Sequence, residues 1–187
     1  MNLLSFPARP VNGGNLALSG VRANWLYQPK INGWRAVHCT LTGQTWNRHG
    51  SLLSIPLPEA GRKLLAELGK VTDWHWWDLE LVERRTKLKG VIIILDVMDS
   101  ALTLQKRFRK LQSLIPVVGV GEKWNTLSCL PTGSAHSLWQ QGLRYNRNSG
   151  DQLFEGVVGK KADSLYPIQK TSAQRAYPYW MKHRYAD

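Results

Sequence analysis

Short β-prone runs bounded by turn residues recur along the 187-residue chain, and this recurrence constrains its fold more than any other feature. Two of these runs, Trp34 to Cys39 and Gln44 to Arg48, are separated by a turn at Gly43 and predict a hairpin. The run Val91 to Met98 is mostly apolar, which predicts a strand buried on both faces. Further strands are expected at Trp76–Glu83, Glu155–Lys160 and Tyr179–Arg184.

Helices are expected between and beside these strands. The segment from Pro58 to Gly69 has proline first and glycine last, which is typical of a helix and its ends. Leu102 to Ile115 has apolar residues at helical spacing, and Ser134 to Leu143 is a third candidate. The segment Met1 to Gly20 is rich in Gly, Pro and Asn and is expected to wrap the surface. Many strands with flanking helices predict an α+β fold of mostly antiparallel sheets, with residues 1–187 as one domain.

Composition and charge exclude several classes of protein. There are 25 Lys plus Arg and 13 Asp plus Glu, so the formal net charge is +12, which attracts polyanions such as nucleic acids. No apolar run approaches the roughly 20 residues of a membrane helix, and the amino terminus does not resemble a signal peptide. Cys39 and Cys129 are too few for a disulfide framework, and the histidines lack metal-ligand spacing. We expect a cytoplasmic protein that does not bind membranes.

The chemistry begins at Lys30, which the sequence places in a turn just before a strand. Gly33 follows three residues later and lets a bulky ligand approach the backbone. Arg35 offers a planar fork for ribose or phosphate oxygens. A lysine amine is a nucleophile once it is deprotonated. Taken alone, this spacing also fits a solvated basic turn.

Further charged groups follow Lys30 in a fixed order along the chain. Arg48 ends the next strand, and Asp78 and Glu80 face the same way on a later strand because they are two residues apart. The last strands add one acid and three cations: Glu155, Lys160, Lys182 and Arg184. Nucleotidyl transfer needs acids that hold a divalent metal and cations that neutralise phosphate oxygens.

In this order the motifs resemble those of the covalent nucleotidyltransferases, which include ATP-dependent DNA ligases, RNA ligases and mRNA capping enzymes. The resemblance extends from Tyr27 to Arg184. The residues from Lys30 to Arg35 read Lys-Ile-Asn-Gly-Trp-Arg and match the family's K-x-D/N-G-x-R, whose lysine takes the nucleotide. Arg48 matches the arginine of the S/N-R-x-G element, and Asp96 matches the aspartate of the family's F-D strand.

This resemblance implies roles for individual residues. Lys30 would be the catalytic nucleophile that takes AMP from ATP, and Glu155 and Glu80 would hold Mg²⁺. The residues implied to contact the nucleotide are Gln28, Arg35, Arg48, Glu80, Leu95, Val158, Lys160 and Lys182. The basic residues expected to contact nucleic acid are Arg84, Arg85, Lys87, Lys89, Lys161, Lys170, Arg175 and Arg184.

The chain departs from the family pattern at four points. Leu95 stands where ligases often have an aromatic ring against adenine, and Trp34 is a candidate replacement. Arg184 replaces the second lysine of the W-x-K-x-K strand, and Gln28 stands where many relatives have an acidic or hydroxyl residue. Because the sequence ends three residues after Arg184, the relatives' OB-fold domain is expected to be missing, and a separate OB-fold protein is a possible partner.

Within the superfamily the pattern favours a DNA ligase. The run Asp163-Ser164-Leu165-Tyr166-Pro167, followed by Trp180-x-Lys182, resembles the D-s-p-Y … W-l-K spacing of those enzymes. The helix that carries Arg107 resembles the segment after their F-D strand. The predicted function is therefore an ATP-dependent DNA ligase, a monomer that seals 5′-phosphate/3′-hydroxyl breaks in nicked duplex DNA. An RNA ligase, an adenylation subunit that needs an OB-fold partner, and a non-catalytic basic nucleic-acid-binding module remain as alternatives.

Overall fold

The computed structural model describes residues 6–16, 20–116, 127–169 and 175–185. Within these ranges the chain forms eleven strands and three helices. The strands are β1 (Phe6–Pro7), β2 (Arg9–Asn12), β3 (Trp25–Ile31), β4 (Trp34–Cys39), β5 (Gln44–Asn47), β6 (Trp76–Val82), β7 (Val91–Val97), β8 (Leu127–Cys129), β9 (Phe154–Lys161), β10 (Ile168–Gln169) and β11 (Ala176–Arg184). The helices are α1 (Glu59–Thr72), α2 (Leu104–Leu114) and α3 (Ala135–Ser149).

The strands form two principal sheets. One has five strands in the order β5-β4-β6-β7-β8, and the other has four strands in the order β2-β11-β9-β3. Strands β1 and β10 make a separate pair. Neighbouring strands are antiparallel except for β7 with β8 and β2 with β11. The prediction of an α+β fold with mostly antiparallel sheets is therefore confirmed.

Strand β7 joins the two layers of the core. Ile92 and Ile94 pack in a cluster with residues of α1 and α2, among them Leu65 and Phe108. Ile93 packs instead in a second cluster that includes residues of β3 and β9. Successive side chains of a strand point to opposite faces, so β7 contacts the helices on one side and the other sheet on the other. The predicted burial of this strand on both faces is confirmed.

Helix α3 covers the outer face of the four-stranded sheet. Leu138 and Trp139 of the helix pack with Tyr27 of β3 and Val157 of β9. The order of layers is therefore α1 and α2, the five-stranded sheet, the four-stranded sheet and α3. In the part of the chain that the structure describes, no helix combines the length and the apolar character needed to cross a membrane.

The described part of the amino-terminal segment does not wrap the surface, so that prediction is wrong. Phe6, Ala8 and Leu16 are buried, and β2 runs parallel to β11 at the edge of its sheet. An edge strand needs hydrogen bonds on one side alone, so it tolerates proline, and Pro10 lies within β2. Strand β2 was not predicted because its segment is rich in Gly, Pro and Asn, which are typical of loops.

Helix α1 runs through Gly69 instead of ending there. It ends at Thr72, and Asp73 terminates it in the left-handed region with a φ of 61°. A Cβ at position 69 would lie 3.1 Å from the carbonyl oxygen of Trp74, so glycine serves a close approach of two segments. Helix α3 extends six residues past Leu143, and β8 was not predicted. The hairpin of β4 and β5 is confirmed.

Candidate active site

A cavity of about 450 Å³ opens between the two sheets and collects the charged motifs. Its walls include Lys30, Glu155 and all eight residues expected to contact the nucleotide. Arg85 and Arg184, two of the predicted nucleic-acid contacts, also line it. These residues are far apart in sequence. They come together because strands pair within each sheet and because the two sheets face each other across the cavity.

Lys30 lies within β3, so its predicted placement in a turn is wrong. It pairs with Gly156 of β9, which extends the strand past the lysine, and the bend follows at Asn32 and Gly33. Its Nζ forms an ion pair with Oε2 of Glu155, and the two side chains are 19% and 26% exposed. The amine is therefore held at the cavity wall and stays accessible.

A bulge in β9 turns Glu155 toward this lysine. The partners of Lys30 and Ile31 are Gly156 and Phe154, so Glu155 is the extra residue between them. Bulges re-aim side chains and are frequent beside functional sites. Without the bulge, strand alternation would direct Glu155 away from the cavity.

Glycine at position 156 makes this bulge possible. Gly156 has a φ of 141°, and a Cβ there would collide with the carbonyl oxygen of His183 on β11. The result is that Glu155 reaches the cavity face of β9 together with Val158 and Lys160. The backbone conformation of Gly156 thus determines the direction of the Glu155 side chain.

A second bulge lies across the cavity, in β7. The partners of Asp78 and Leu79 on β6 are Asp96 and Ile94, which leaves Leu95 without a partner on β6. Its carbonyl oxygen therefore points away from that ladder and can accept side-chain donors. The sequence shows an apolar run here and no sign of the bulge.

Both sheets meet at the carbonyl oxygen of Leu95. It accepts hydrogen bonds from Nε2 of Gln28 at 3.2 Å and from Nζ of Lys160 at 3.3 Å. Leu95 lines the cavity, and its side chain packs against the core cluster that contains Ile31 and Ile93. The Leu95 carbonyl oxygen therefore links Gln28 and Lys160, two predicted nucleotide contacts on the four-stranded sheet, to the five-stranded sheet.

Lys160 is a buried cation held by several partners. It is 4% exposed, its Nζ is 3.7 Å from Oδ2 of Asp96, and it lies 4.5 Å from the ring centroid of Trp180. Burial lowers the pKa of Lys160, and the Asp96 carboxylate opposes that shift. The ammonium is thus positioned before any ligand enters.

Asp96 is bound mainly from its other side, by Arg107 of α2. Nε and Nη2 of Arg107 contact the two carboxylate oxygens of Asp96 at 2.7 and 2.9 Å, and both side chains are fully buried. Burial opposes the charge of Arg107, but Asp96 raises its pKa above the ordinary value. Helix α2, which resembles the DNA-ligase segment, thus holds β7 through Asp96. Its Arg107 supports Lys160 from behind and does not line the cavity.

Arg35 uses its planar fork on a neighbouring acid. Nε and Nη2 contact the Asp78 carboxylate at 2.9 and 2.7 Å, and Nη1 donates to the carbonyl oxygen of Ala8 at 2.8 Å. Although burial opposes the charge, Asp78 raises the pKa of Arg35 above its ordinary value. The expected free fork is therefore occupied, although the side chain still lines the cavity.

Tyr166 and Trp180, which the sequence marks only through the DNA-ligase spacing, join Asp78 in a buried group beside Arg35. The Tyr166 hydroxyl donates to Oδ2 of Asp78 at 2.9 Å. The buried Trp180 ring has the Arg35 guanidinium 5.3 Å from its centroid and meets the Tyr166 ring edge to face at 5.5 Å. The alternation of β6 places Asp78 on the face of Glu80, as predicted, but its long-range partner Tyr166 has no local signal.

Glu80 lies in the cavity in surroundings that disfavour its charged form. Burial raises the pKa of Glu80 to about 7, even though Lys30 and Arg35 oppose that shift. The nearby acids Asp78 and Glu155 raise it further. An added cation would relieve this repulsion and favour the ionised carboxylate.

The donor set fits a magnesium ion of the kind that substrate phosphates complete. No cluster of three or more metal-ligating side chains occurs in residues 6–16, 20–116, 127–169 and 175–185. Mg²⁺ is commonly held by one or two carboxylates with substrate phosphates and waters filling the remaining positions. Glu155 and Glu80 both face the cavity, and their charges repel each other. They therefore form a pair of carboxylates of the kind that holds Mg²⁺.

The predicted nucleic-acid contacts occupy different settings. Arg84 lies over the Trp34 ring at 5.0 Å, and Lys87 donates to the carbonyl oxygen of Ser149 at 2.9 Å. Lys161 pairs with Asp163 at 3.3 Å. Lys89 is exposed, Arg175 is exposed, and Lys170 lies outside the described residues. Because Trp34 also lines the cavity, the ring proposed for adenine already carries a cation.

Solved structures similar to this one include polynucleotide ligases. The ligase domain of LigD from M. tuberculosis has a TM-score of 0.63 at 16% identity, covering 96% of this chain and 59% of that one. The Chlorella virus DNA ligase-adenylate has a TM-score of 0.54 at 18% identity, with 96% and 69% covered. An archaeal ATP-dependent RNA ligase has a TM-score of 0.55 at 16% identity, with 95% and 48% covered.

This chain spans 59% and 61% of two mycobacterial ligase D structures, one of them complexed with ATP. No protein-family model and no curated protein matches the sequence. The structural likeness holds at low identity, so it concerns the arrangement of strands and helices. The chain has the fold of the nucleotidyltransferase domain of ATP-dependent DNA and RNA ligases.

Proposed function

We propose that the protein is an ATP-dependent polynucleotide ligase that works through a covalent lysyl-AMP on Lys30, with nicked duplex DNA as its substrate. The observation that carries this proposal is the cavity itself. It holds the Lys30 amine in contact with the Glu155 carboxylate, and the buried cation Lys160 lines the same cavity. That combination, on a ligase-domain fold, suits attack of an amine on a phosphate.

In the first step Lys30 Nζ attacks the α-phosphorus of ATP. A phosphorus–nitrogen bond forms, the bond to the β-phosphate oxygen breaks, and pyrophosphate leaves with the electron pair. The amine must lose a proton to act as a nucleophile. Oε2 of Glu155, which Nζ already contacts, is positioned to accept that proton.

In the second step an oxygen of the 5′-phosphate at the break attacks the same phosphorus, and Lys30 leaves and regains its proton. In the third step the 3′-hydroxyl oxygen attacks the activated 5′-phosphate and releases its proton to solvent, the phosphodiester bond forms, and AMP leaves with the electron pair of the broken phosphorus–oxygen bond. Lys160 and Lys182, which line the cavity, neutralise charge on the phosphate oxygens during these transfers. Positioning and charge neutralisation therefore account for most of the catalysis.

Glu155 and Glu80 would hold Mg²⁺, which supplies further neutralisation of phosphate charge when it is bound. Glu80 would then ionise fully, since a neighbouring cation favours the carboxylate form. In the same proposal residues 1–187 act as one adenylation domain and a monomer. A separate OB-fold protein is a possible partner for sealing.

A sealing assay on nicked duplexes with ATP and magnesium tests the choice of substrate. The nick is placed in DNA, in RNA or in a hybrid of the two, with one labelled strand throughout. We expect the DNA nick to be sealed fastest. Faster sealing of an RNA nick would assign the protein to RNA, and sealing that appears on addition of an OB-fold protein would identify an adenylation subunit.

A further inference from the structure

Two aromatic rings that carry cations lie on the four-stranded sheet, on the face directed away from the cavity. The guanidinium of Arg22 is 5.1 Å from the ring centroid of Trp25. The ammonium of Lys161 is 5.0 Å from the ring centroid of Tyr179. The proposed reaction uses neither pair. We call these four residues the outer strip.

Strand register places three residues of the outer strip, Trp25, Lys161 and Tyr179, in one row across the sheet. Trp25 of β3 is the partner of Lys161 on β9. On the other side of β9, Trp180 is the partner of Lys160, so Tyr179 comes next to Lys161. Neighbouring strands are about 4.8 Å apart, so Trp25 and Tyr179 stand about 10 Å apart with the lysine between them.

The same register shows which face the outer strip occupies. Lys160 and Trp180 line the cavity. Adjacent residues of a strand point to opposite faces, so Lys161 and Tyr179 point away from it. The Trp25 ring lies beside Gly159 on that outer face.

Helix α3 covers only part of this face. It packs over Tyr27 and Val157, farther along the same strands, and the Trp25 ring packs against the edge of this cluster. Tyr179 is 44% exposed, Arg22 is exposed, and Trp25 is half-buried. Tyr179 and Arg22 of the outer strip are therefore accessible beside the helix, and the Trp25 ring is partly accessible.

We propose that the outer strip binds single-stranded nucleic acid by stacking bases on Tyr179 and Trp25. The net charge of +12 attracts a polyanion, and aromatic rings interleaved with cations are the features that hold an unpaired strand. A duplex keeps its base faces inside except at its two ends, so it offers far fewer faces for stacking. The proposal extends the proposed function by adding a contact for an unpaired strand outside the cavity.

Lys161 makes the site adaptable. Its side chain is 36% exposed and is shared between the Tyr179 ring and Asp163, 3.3 Å away. A lysine ammonium on a flexible stem can move from the ring to a phosphate. That movement frees the ring face for a base and leaves the charge beside the backbone of the strand.

The test measures binding of a fluorescein-labelled oligodeoxythymidylate and of a blunt duplex at one fixed salt concentration. Tyr179→Ala is expected to weaken single-strand binding about fivefold or more, the lower end of what one base–ring stack contributes. Tyr179→Phe keeps the ring and should bind like wild type. Arg22→Ala should weaken single-strand binding and make its dependence on salt less steep. Lys106→Ala, an exposed cation on α2, is the matched control for loss of charge.

Duplex binding and covalent AMP labelling should be unchanged in Tyr179→Ala, and its melting temperature should match wild type. Wild-type single-strand affinity in Tyr179→Ala would overturn the proposal, as would equal losses for single strand and duplex. Absence of AMP labelling in the wild type would contradict the proposed function and leave this binding result intact. The two proposals therefore fail separately.

Discussion

The amine of Lys30 on β3 contacts the carboxylate of Glu155 on the neighbouring strand β9, at the bulge that Gly156 makes possible. Glu155 thus combines two features in the proposed reaction. It lies against the nucleophile, and it faces the cavity where the phosphates would bind. Arg184, 3.9 Å from the same oxygen, adds a weaker second cation.

Glu155→Gln should therefore reduce the rate of AMP transfer to Lys30 by a factor of about 10² or more, because loss of one group that stabilises transition-state charge commonly costs that much. The substitution keeps the shape of the side chain and removes its charge and its ability to accept a proton. Single-turnover labelling with ATP measures the rate. Near-normal rates of labelling and of sealing would mean that neither proton transfer nor metal binding depends on this residue.

Glu80 should make stability depend on pH in a defined window. Burial raises the pKa of Glu80 from 4.5 to about 7, so between these values the folded state binds more protons than the unfolded state. The free energy of unfolding should therefore fall as pH rises through this window, by on the order of 1–3 kcal/mol, and Glu80→Gln should lack that fall.

Chemical denaturation of the wild type and Glu80→Gln at several pH values, without ATP or metal, isolates this contribution. The Gln variant should gain stability relative to wild type as pH rises from about 4.5 to about 7. A difference between the two proteins that stays constant over this range would show that Glu80 is ionised normally in the fold.

Tyr166→Phe tests whether the buried Tyr166 and Asp78 position Arg35. The variant keeps the ring against Trp180 and loses the hydroxyl that donates to Asp78. Loss of one donor to a buried acceptor costs about 1–3 kcal/mol of folding free energy. If Asp78 then holds Arg35 less firmly, the ATP concentration for half-maximal labelling should rise severalfold. A stability loss with unchanged ATP dependence would restrict Tyr166 to a structural role.

Salt dependence tests the basic residues that follow β6. Arg85 lines the cavity and Arg84 lies over Trp34, whereas Lys87 is engaged by the Ser149 carbonyl. Each phosphate that a cation neutralises adds about 0.9 to the slope of log affinity against log salt on duplex DNA. Arg85→Glu should weaken binding of a nicked duplex and reduce this slope, and Lys87→Glu should do so less. Equal effects, or a flat salt response in wild type, would assign the DNA contact to another surface.

Much of the fold was predictable because strand alternation, turn glycines and helical spacing are local signals. The order of charged residues, combined with the resemblance, also identified residues that the structure collects in one cavity. The bulges at Glu155 and Leu95 were not predictable. Each of these residues lacks a partner on a neighbouring strand, and this is visible only once the register of the two strands is known. The bond from Tyr166 to Asp78 spans 88 positions in sequence and leaves no short pattern.

Covalent labelling tests the central claim most directly. The protein is incubated with ATP labelled on the α-phosphate and magnesium, denatured, and digested, and the labelled peptide is identified by mass spectrometry. We expect AMP on Lys30 in the wild type, and no label in Lys30→Ala or Lys30→Arg, because a guanidinium stays protonated and cannot attack. Label on a different residue, or substantial label in Lys30→Ala, would contradict the account.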